Sequence, residues 1–231
     1  MLNSDVLLGS FAGLRGLVFD CDGVLLDSRG ANIAFYNYLR AGLHLPALTR
    51  EQEDYVHMST FEQALDFMIP QNLRAALPEL MGKVESHLDY YSLLTLESGL
   101  SDLLDWLKVH GVRLGMCTNR IGDLSKLLGR FGLEGYFEPI KTASNSTPKP
   151  SPDGLLQIIN EWEMDPLEIA FVGDSKVDES AARAAGTHFW SFKNDALEAD
   201  LHIPSFTRLH NWMLEYASGH IISPAASTGG F

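Results

Sequence analysis

Two aspartates one residue apart, Asp20 and Asp22, close the short apolar run Leu17-Val18-Phe19 and are followed by Gly23. In an extended segment, residues i and i+2 point the same way, so both carboxylates can face one site just beyond the run. Paired carboxylates suit a hard cation. Asp and Gly also favour turns, and Asp20-Cys21-Asp22-Gly23 taken alone reads equally well as turn chemistry.

Three further clusters carry complementary groups. Thr118-Asn119 ends the run Arg113–Thr118 ahead of a helical pattern, where a hydroxyl, an amide and free backbone N–H groups suit an anion such as phosphate; the same pair is also an ordinary helix cap. Lys149 sits in Thr147-Pro148-Lys149-Pro150-Ser151-Pro152, and the prolines restrict the backbone around its ammonium group. Asp174 and Asp178 lie in Gly173-Asp174-Ser175-Lys176-Val177-Asp178, where both can reach a cation at a sheet edge, or where Asp178 caps the next helix.

The elements that must bring these clusters together are legible in the hydrophobic pattern. Apolar runs at 14–20, 113–118, 168–174 and 187–192 read as buried parallel strands. Leucines at 100, 103, 104 and 107 before Gly111, and at 124, 127 and 128 before Gly132, read as helices with glycine past their ends. From residue 97 helices and strands alternate, which predicts a parallel sheet. Open sheets of this kind bind ligands beyond the carboxyl ends of their strands, where all four clusters fall.

Residues 28–96 break that rhythm. No strand is evident there, and helical spacing appears at Ile33, Tyr36 and Leu39, at Phe61, Leu65 and Met68, and at Leu80, Val84, Leu88 and Tyr91. Tyr36, His57, Phe61 and Met68 are read as the core of this insertion, with Pro70 ending one helix and Pro78 opening the next. The last dozen residues read as a loose tail.

Composition sets outer limits. The 231 residues carry 17 Lys and Arg against 30 Asp and Glu, a net charge of −13, which disfavours nucleic acid and anionic membranes as partners. Two cysteines, Cys21 and Cys117, form no CxxC pair and fit a reducing, cytoplasmic compartment; no apolar stretch is long enough for a membrane helix. Both cysteines read as buried, with oxidative inactivation as the sharper alternative.

In order and spacing, Asp20-Cys21-Asp22-Gly23-Val24, Thr118-Asn119, Lys149 and Gly173–Asp178 resemble the four motifs of the haloacid dehalogenase-like hydrolase superfamily. GDSKVDESAARAAG at 173–186 is similar to its phosphoglycolate phosphatase and β-phosphoglucomutase branch. The resemblance implies an α/β fold with a Rossmann-like parallel core (1–27 and 97–231) and an inserted α-helical cap (28–96). It implies Asp20 as a nucleophile forming an aspartyl-phosphate, and Asp22 as the acid and then the base. Thr118, Asn119 and Lys149 would hold the phosphate. Mg²⁺ would be bound by Asp20, the Asp22 carbonyl, Asp174 and Asp178, the last directly or at one remove. The expected substrate is a small phosphorylated metabolite, handled by a monomer or homodimer. A phosphosugar mutase and a catalytically silent phosphate-binding protein remain open alternatives. Arg120 is read as a residue at a helix start, with contact to a substrate carboxylate as the alternative.

Overall fold

Strand β1 (Gly16–Phe19) has every side chain buried, so it must lie inside a sheet covered on both faces. In the computed structural model, which describes residues 11–58, 61–84, 88–121 and 124–219, it is central in a six-stranded parallel sheet of order β5-β4-β1-β6-β7-β8. Its companions are β4 (Arg113–Cys117), β5 (Ile140–Lys141), β6 (Ile169–Gly173), β7 (His188–Phe192) and β8 (Leu201–Ile203). Phe19 is in register with Met116 of β4 and Val172 of β6, so the chain leaves all three strands at one level. The ladder continues one residue further, since Asp20 N–H donates to Val172 O at 2.9 Å.

Helices α1 (Arg29–Gly42), α2 (Arg50–Met58), α3 (Phe61–Met68) and α4 (Leu77–Gly82) make up the insertion. Helices α5 (Leu100–Val109), α6 (Ser125–Arg130), α7 (Asp153–Trp162), α8 (Lys176–Ala185) and α9 (Phe206–Gly219) flank the sheet. Two apolar clusters cover its faces, one including Leu103, Leu107 and Leu209, the other Ile158, Trp162 and Ala181. The Trp162 indole packs closely on the sheet because Gly16 opposes it: a Cβ there would lie 2.5 Å from the ring.

Several expectations change. A strand does occur late in the insertion: β3 (Thr95–Leu96) pairs antiparallel with β2 (Leu26–Asp27), joining the points where the chain leaves and re-enters the sheet. Two residues are too short to show a period of two, which hides such a ribbon from pattern reading. Residues 201–219 add two elements that the hydrophobic pattern was not read for. β8 extends the sheet, and α9 buries Phe206, Leu209, Trp212 and Met213, with Phe206 stacked 4.4 Å from Phe192 between ring centres. The loose tail read for the last dozen residues lies outside the described residues.

Within the insertion, Tyr36 and Met68 join Leu39, Val56, Ala64 and Leu77 in a separate apolar cluster. Phe61 does not share that burial, being 45% exposed, and the His57 side chain is outside the described residues. Pro78 stands in the first turn of α4 and Pro70 precedes a 3₁₀ turn, as their fixed φ predicts. Of the stripe from Leu80 to Tyr91, the start lies in α4, whereas Tyr90 opens a 3₁₀ turn (Tyr90–Leu93) capped by the Asp89 side chain.

Candidate active site

The common exit level of β1, β4 and β6 gathers most of the chemistry-bearing residues into one buried cluster. Asp20 leaves β1, and the Lys149 ammonium reaches it from the loop before α7, 2.8 Å from Oδ1. The approach to that oxygen is poorly directed, leaving Asp20 Oδ1 buried without a well-aligned donor. Lys149 donates a better hydrogen bond to Asp178 Oδ1 at 2.5 Å and lies over the Phe171 ring. The expected role of the flanking prolines is shared by Asn119, whose amide accepts from Lys149 N–H at 2.7 Å and donates to Lys149 O at 2.9 Å. The amide therefore fixes the lysine backbone from both sides.

Asp178 serves two purposes at once. Its Oδ2 accepts from the backbone N–H groups of Asp174 and Ser175, closing a capping box at the start of α8, while Oδ1 faces Lys149. The capping reading of this residue therefore holds, and its other oxygen is taken by Lys149. Gly173 permits the arrangement, since a Cβ there would sit 2.4 Å from the Asp178 Cβ. Gly23 does the same for Asp174: its φ is +75°, and a Cβ would lie 2.0 Å from Asp174 Oδ2. The turn after β1 thus has to be glycine for the fourth motif to close against the first.

Carboxylate oxygens of Asp20, Asp174 and Asp178 lie within 4.8 Å of one another. Burial pushes the Asp20 carboxyl up to about 7; Lys149 opposes this and Asp178 adds to it. Burial likewise raises Asp174 well above the usual carboxylate range, with Asp178 and Asp20 contributing. Burial works against the Lys149 ammonium as well, yet Asp178 and Asp20 overcome it and raise its pKa. Three carboxylates facing one lysine are short of positive charge, and the all-oxygen donor set with an underused Asp20 Oδ1 fits a hard divalent cation.

Asp22 does not join this cluster through its side chain. Its carboxylate turns to Arg120, accepting from Nε and Nη2, both at 2.7 Å. Arg120 is therefore not simply a residue at a helix start. Nor do Thr118 and Asn119 open a helix directly, since α6 begins at Ser125, six positions after Asn119. Thr118 is buried beside Asp20's strand, and its Oγ1 accepts from Arg120 N–H at 3.2 Å. Sequence reasoning missed the Arg120 pairing because it joins positions 98 apart; the only local signal was a base directly after the second motif. Cys21 and Cys117 are free and buried, and burial raises both thiols, Cys117 to about 12, which disfavours the reactive thiolate.

A profile of the haloacid dehalogenase-like hydrolases matches residues 17–192, spanning all four motifs. The chain belongs to this family. Among solved structures, this haloacid dehalogenase-like hydrolase is 34% identical to a HAD-superfamily hydrolase, subfamily IA, variant 1, from Geobacter sulfurreducens. That match covers 86% of this chain and 96% of the other, with a TM-score of 0.70. A haloacid dehalogenase-like family protein from Streptococcus pneumoniae shares the fold at 20% identity and a TM-score of 0.69, covering 82% and 90% of the two chains. Among curated proteins, phosphoglycolate phosphatases are similar over 208 residues: 28% identical for Shigella boydii and 27% for Escherichia coli K12. Each match covers 78% of this chain and 81% of the relative.

Proposed function

We propose that this hydrolase is a Mg²⁺-dependent phosphatase that cleaves a small organic phosphomonoester through an aspartyl-phosphate, in the manner of a phosphoglycolate phosphatase. The observation that carries this reading is Asp20, buried at a strand end against Lys149, with Asp174 and Asp178 beside it and Asp22 two residues on. The similarity to phosphoglycolate phosphatases supports it.

A carboxylate attacks a phosphate dianion poorly because like charges repel. Lys149 offsets part of that repulsion, and Thr118, buried at the end of β4, would hold a phosphoryl oxygen. An Asp20 oxygen then forms the bond to phosphorus as the bond to the ester oxygen breaks, and the departing oxygen takes a proton from Asp22. In the second step Asp22 takes a proton from water, the water oxygen bonds to phosphorus, and the Asp20 carboxylate is released. Asp20, Asp174 and the carbonyl of Asp22 would hold Mg²⁺, which supplies charge neutralisation at the phosphoryl group. Asp178, with both oxygens engaged, steadies Lys149 and the start of α8.

On this reading residues 28–96 form a cap over the core of 1–27 and 97–231, hinged at the β2–β3 ribbon, and the two free cysteines fit a reducing cytoplasm. A mutase is disfavoured by the insertion's own basic residues. Arg29 pairs with Asp54, Arg74 with Asp66 and Lys83 with Glu79, and Arg40 is spent on the carbonyls of Pro46 and Met68, which leaves Arg50 as the one of the five without a described partner. Holding the second phosphate of a sugar bisphosphate needs several uncommitted cations.

The test is hydrolysis of p-nitrophenyl phosphate and a panel of small phosphate esters with Mg²⁺. Wild-type turnover that disappears in Asp20→Asn, with the circular dichroism spectrum unchanged, is the expected result. Substantial activity in Asp20→Asn would show that the nucleophile is another group.

A further inference from the structure

The bidentate pair between Arg120 and Asp22 poses a problem for the acid assigned above. Both Asp22 oxygens face the guanidinium, whereas proton transfer to the leaving group requires one of them to face the substrate. Arg120 is held at three other points, two on its main chain and one on its guanidinium. Its backbone N–H donates to Thr118 Oγ1, its carbonyl accepts from Ala143 N–H, and its Cζ lies 5.8 Å from the centre of the Tyr90 ring. Tyr90 in turn donates to Asn32 Oδ1 of α1 at 3.0 Å. Arg120 is thus fixed from the sheet side and covered from the insertion side, and Asp22 is the more exposed partner, at 35% against 16%. When the pair opens, Asp22 is the member that moves.

A fork–fork pair of this geometry is among the stronger hydrogen-bonded contacts, and it opens without large cost only if another planar oxyanion takes the vacated place. We propose that Arg120 is a positioning and specificity residue. It holds Asp22 idle until a carboxylate on the substrate's organic part displaces it, and that exchange frees Asp22 to serve the leaving oxygen. The inference rests on the phosphatase reading and deepens it: the preferred ester is one whose alcohol carries a carboxylate close to the phosphate. A neutral alkyl phosphate leaves the pair closed.

The experiment compares 2-phosphoglycolate with ethyl phosphate, which has the same carbon count and no carboxylate, in wild-type, Arg120→Gln and Arg120→Lys proteins with Mg²⁺. Wild type should favour the carboxylated ester by about 10- to 100-fold in kcat/KM, the range of a hydrogen bond to a charged group. In Arg120→Gln that preference should vanish through a higher KM for 2-phosphoglycolate, while kcat for ethyl phosphate rises because Asp22 is no longer held. Structural damage cannot produce that rise. Arg120→Lys should recover part of the preference, and it guards against a glutamine variant that folds poorly. An equal loss on both esters, or a preference that survives Arg120→Gln, would overturn the proposal. Wild-type turnover of both esters at equal efficiency overturns it too, yet leaves the phosphatase reading standing; absence of turnover on either ester and on p-nitrophenyl phosphate removes that reading as well.

Discussion

Asp20 and Asp22 are two residues apart and each faces one cation, but the two pairs differ in nearly every physical respect. The Asp20 pair is deep: Lys149 is shared with Asp178, the approach to Asp20 is poorly directed, and burial raises the Asp20 carboxyl to about 7. The Asp22 pair is shallower and bidentate, and its arginine is steadied by Thr118 and Tyr90. One carboxylate is left with an underused oxygen in a site short of positive charge, which suits a nucleophile that also holds a metal. The other is well satisfied but near solvent, which suits a group that must move. Sequence neighbours acquire separate tasks because the residues opposing them come from different loops.

Removing the deep pair should have the largest effect. Lys149→Ala should lower kcat by about 10²–10³-fold, the size of losing one preorganised electrostatic contact to the reacting phosphate. It should also destabilise the fold by about 3–5 kcal/mol in urea unfolding, because Asp178 is left buried without its cation. Asp22→Asn should separate the two effects: about 10²–10⁴-fold in kcat, as for a lost general acid and base, and about 1–2 kcal/mol in stability, less than for Lys149→Ala because the bidentate pair it weakens is partly exposed. Equal stability losses in the two variants would erase the contrast between the pairs.

The pH dependence of the metal-free protein sharpens the same comparison. Asp20 ionises near its usual 3.8 when unfolded and near 7 when folded, so the folded state holds the extra proton between those values. Its contribution to stability is therefore fullest below about 3.8 and is lost as pH rises through 7. Thermal unfolding of Asp20→Asn should show a smaller decline, the remainder coming from the buried Asp174, and added Mg²⁺ should raise the wild-type Tm more at pH 8 than at pH 6, where protons compete for the same oxygens. A Tm response to Mg²⁺ that is larger at pH 6 would contradict the raised carboxyls. The smallest effect is expected at the thiols: Cys21→Ser with Cys117→Ser should leave activity after peroxide treatment unchanged from wild type, because burial suppresses both thiolates. Peroxide inactivation that the double variant abolishes would restore the oxidative reading.

Pattern reading recovered the four longer parallel strands because each is a buried run with a polar end, and the helices because leucines recur at 3.6-residue spacing before a glycine. It missed the β2–β3 ribbon, which is too short to have a period, and β8 for the same reason. Helix α9 was readable in principle: Phe206, Leu209, Trp212 and Met213 repeat at helical spacing, and they bury as that spacing requires.

By itself the sequence determined the α/β alternation, the helical insertion and the identity of the chemical groups, because these follow from local periodicity and residue type. Only the tertiary structure decided how those groups are shared. It gave Asp178, already legible as a helix cap, to Lys149 as well, made Asn119 the clamp on the Lys149 backbone, brought Gly23 against Asp174, and turned Asp22 toward Arg120. Each of these contacts joins segments whose separation along the chain carries no periodic signal, and each forms because three parallel strands end at one level and point their loops at a common space.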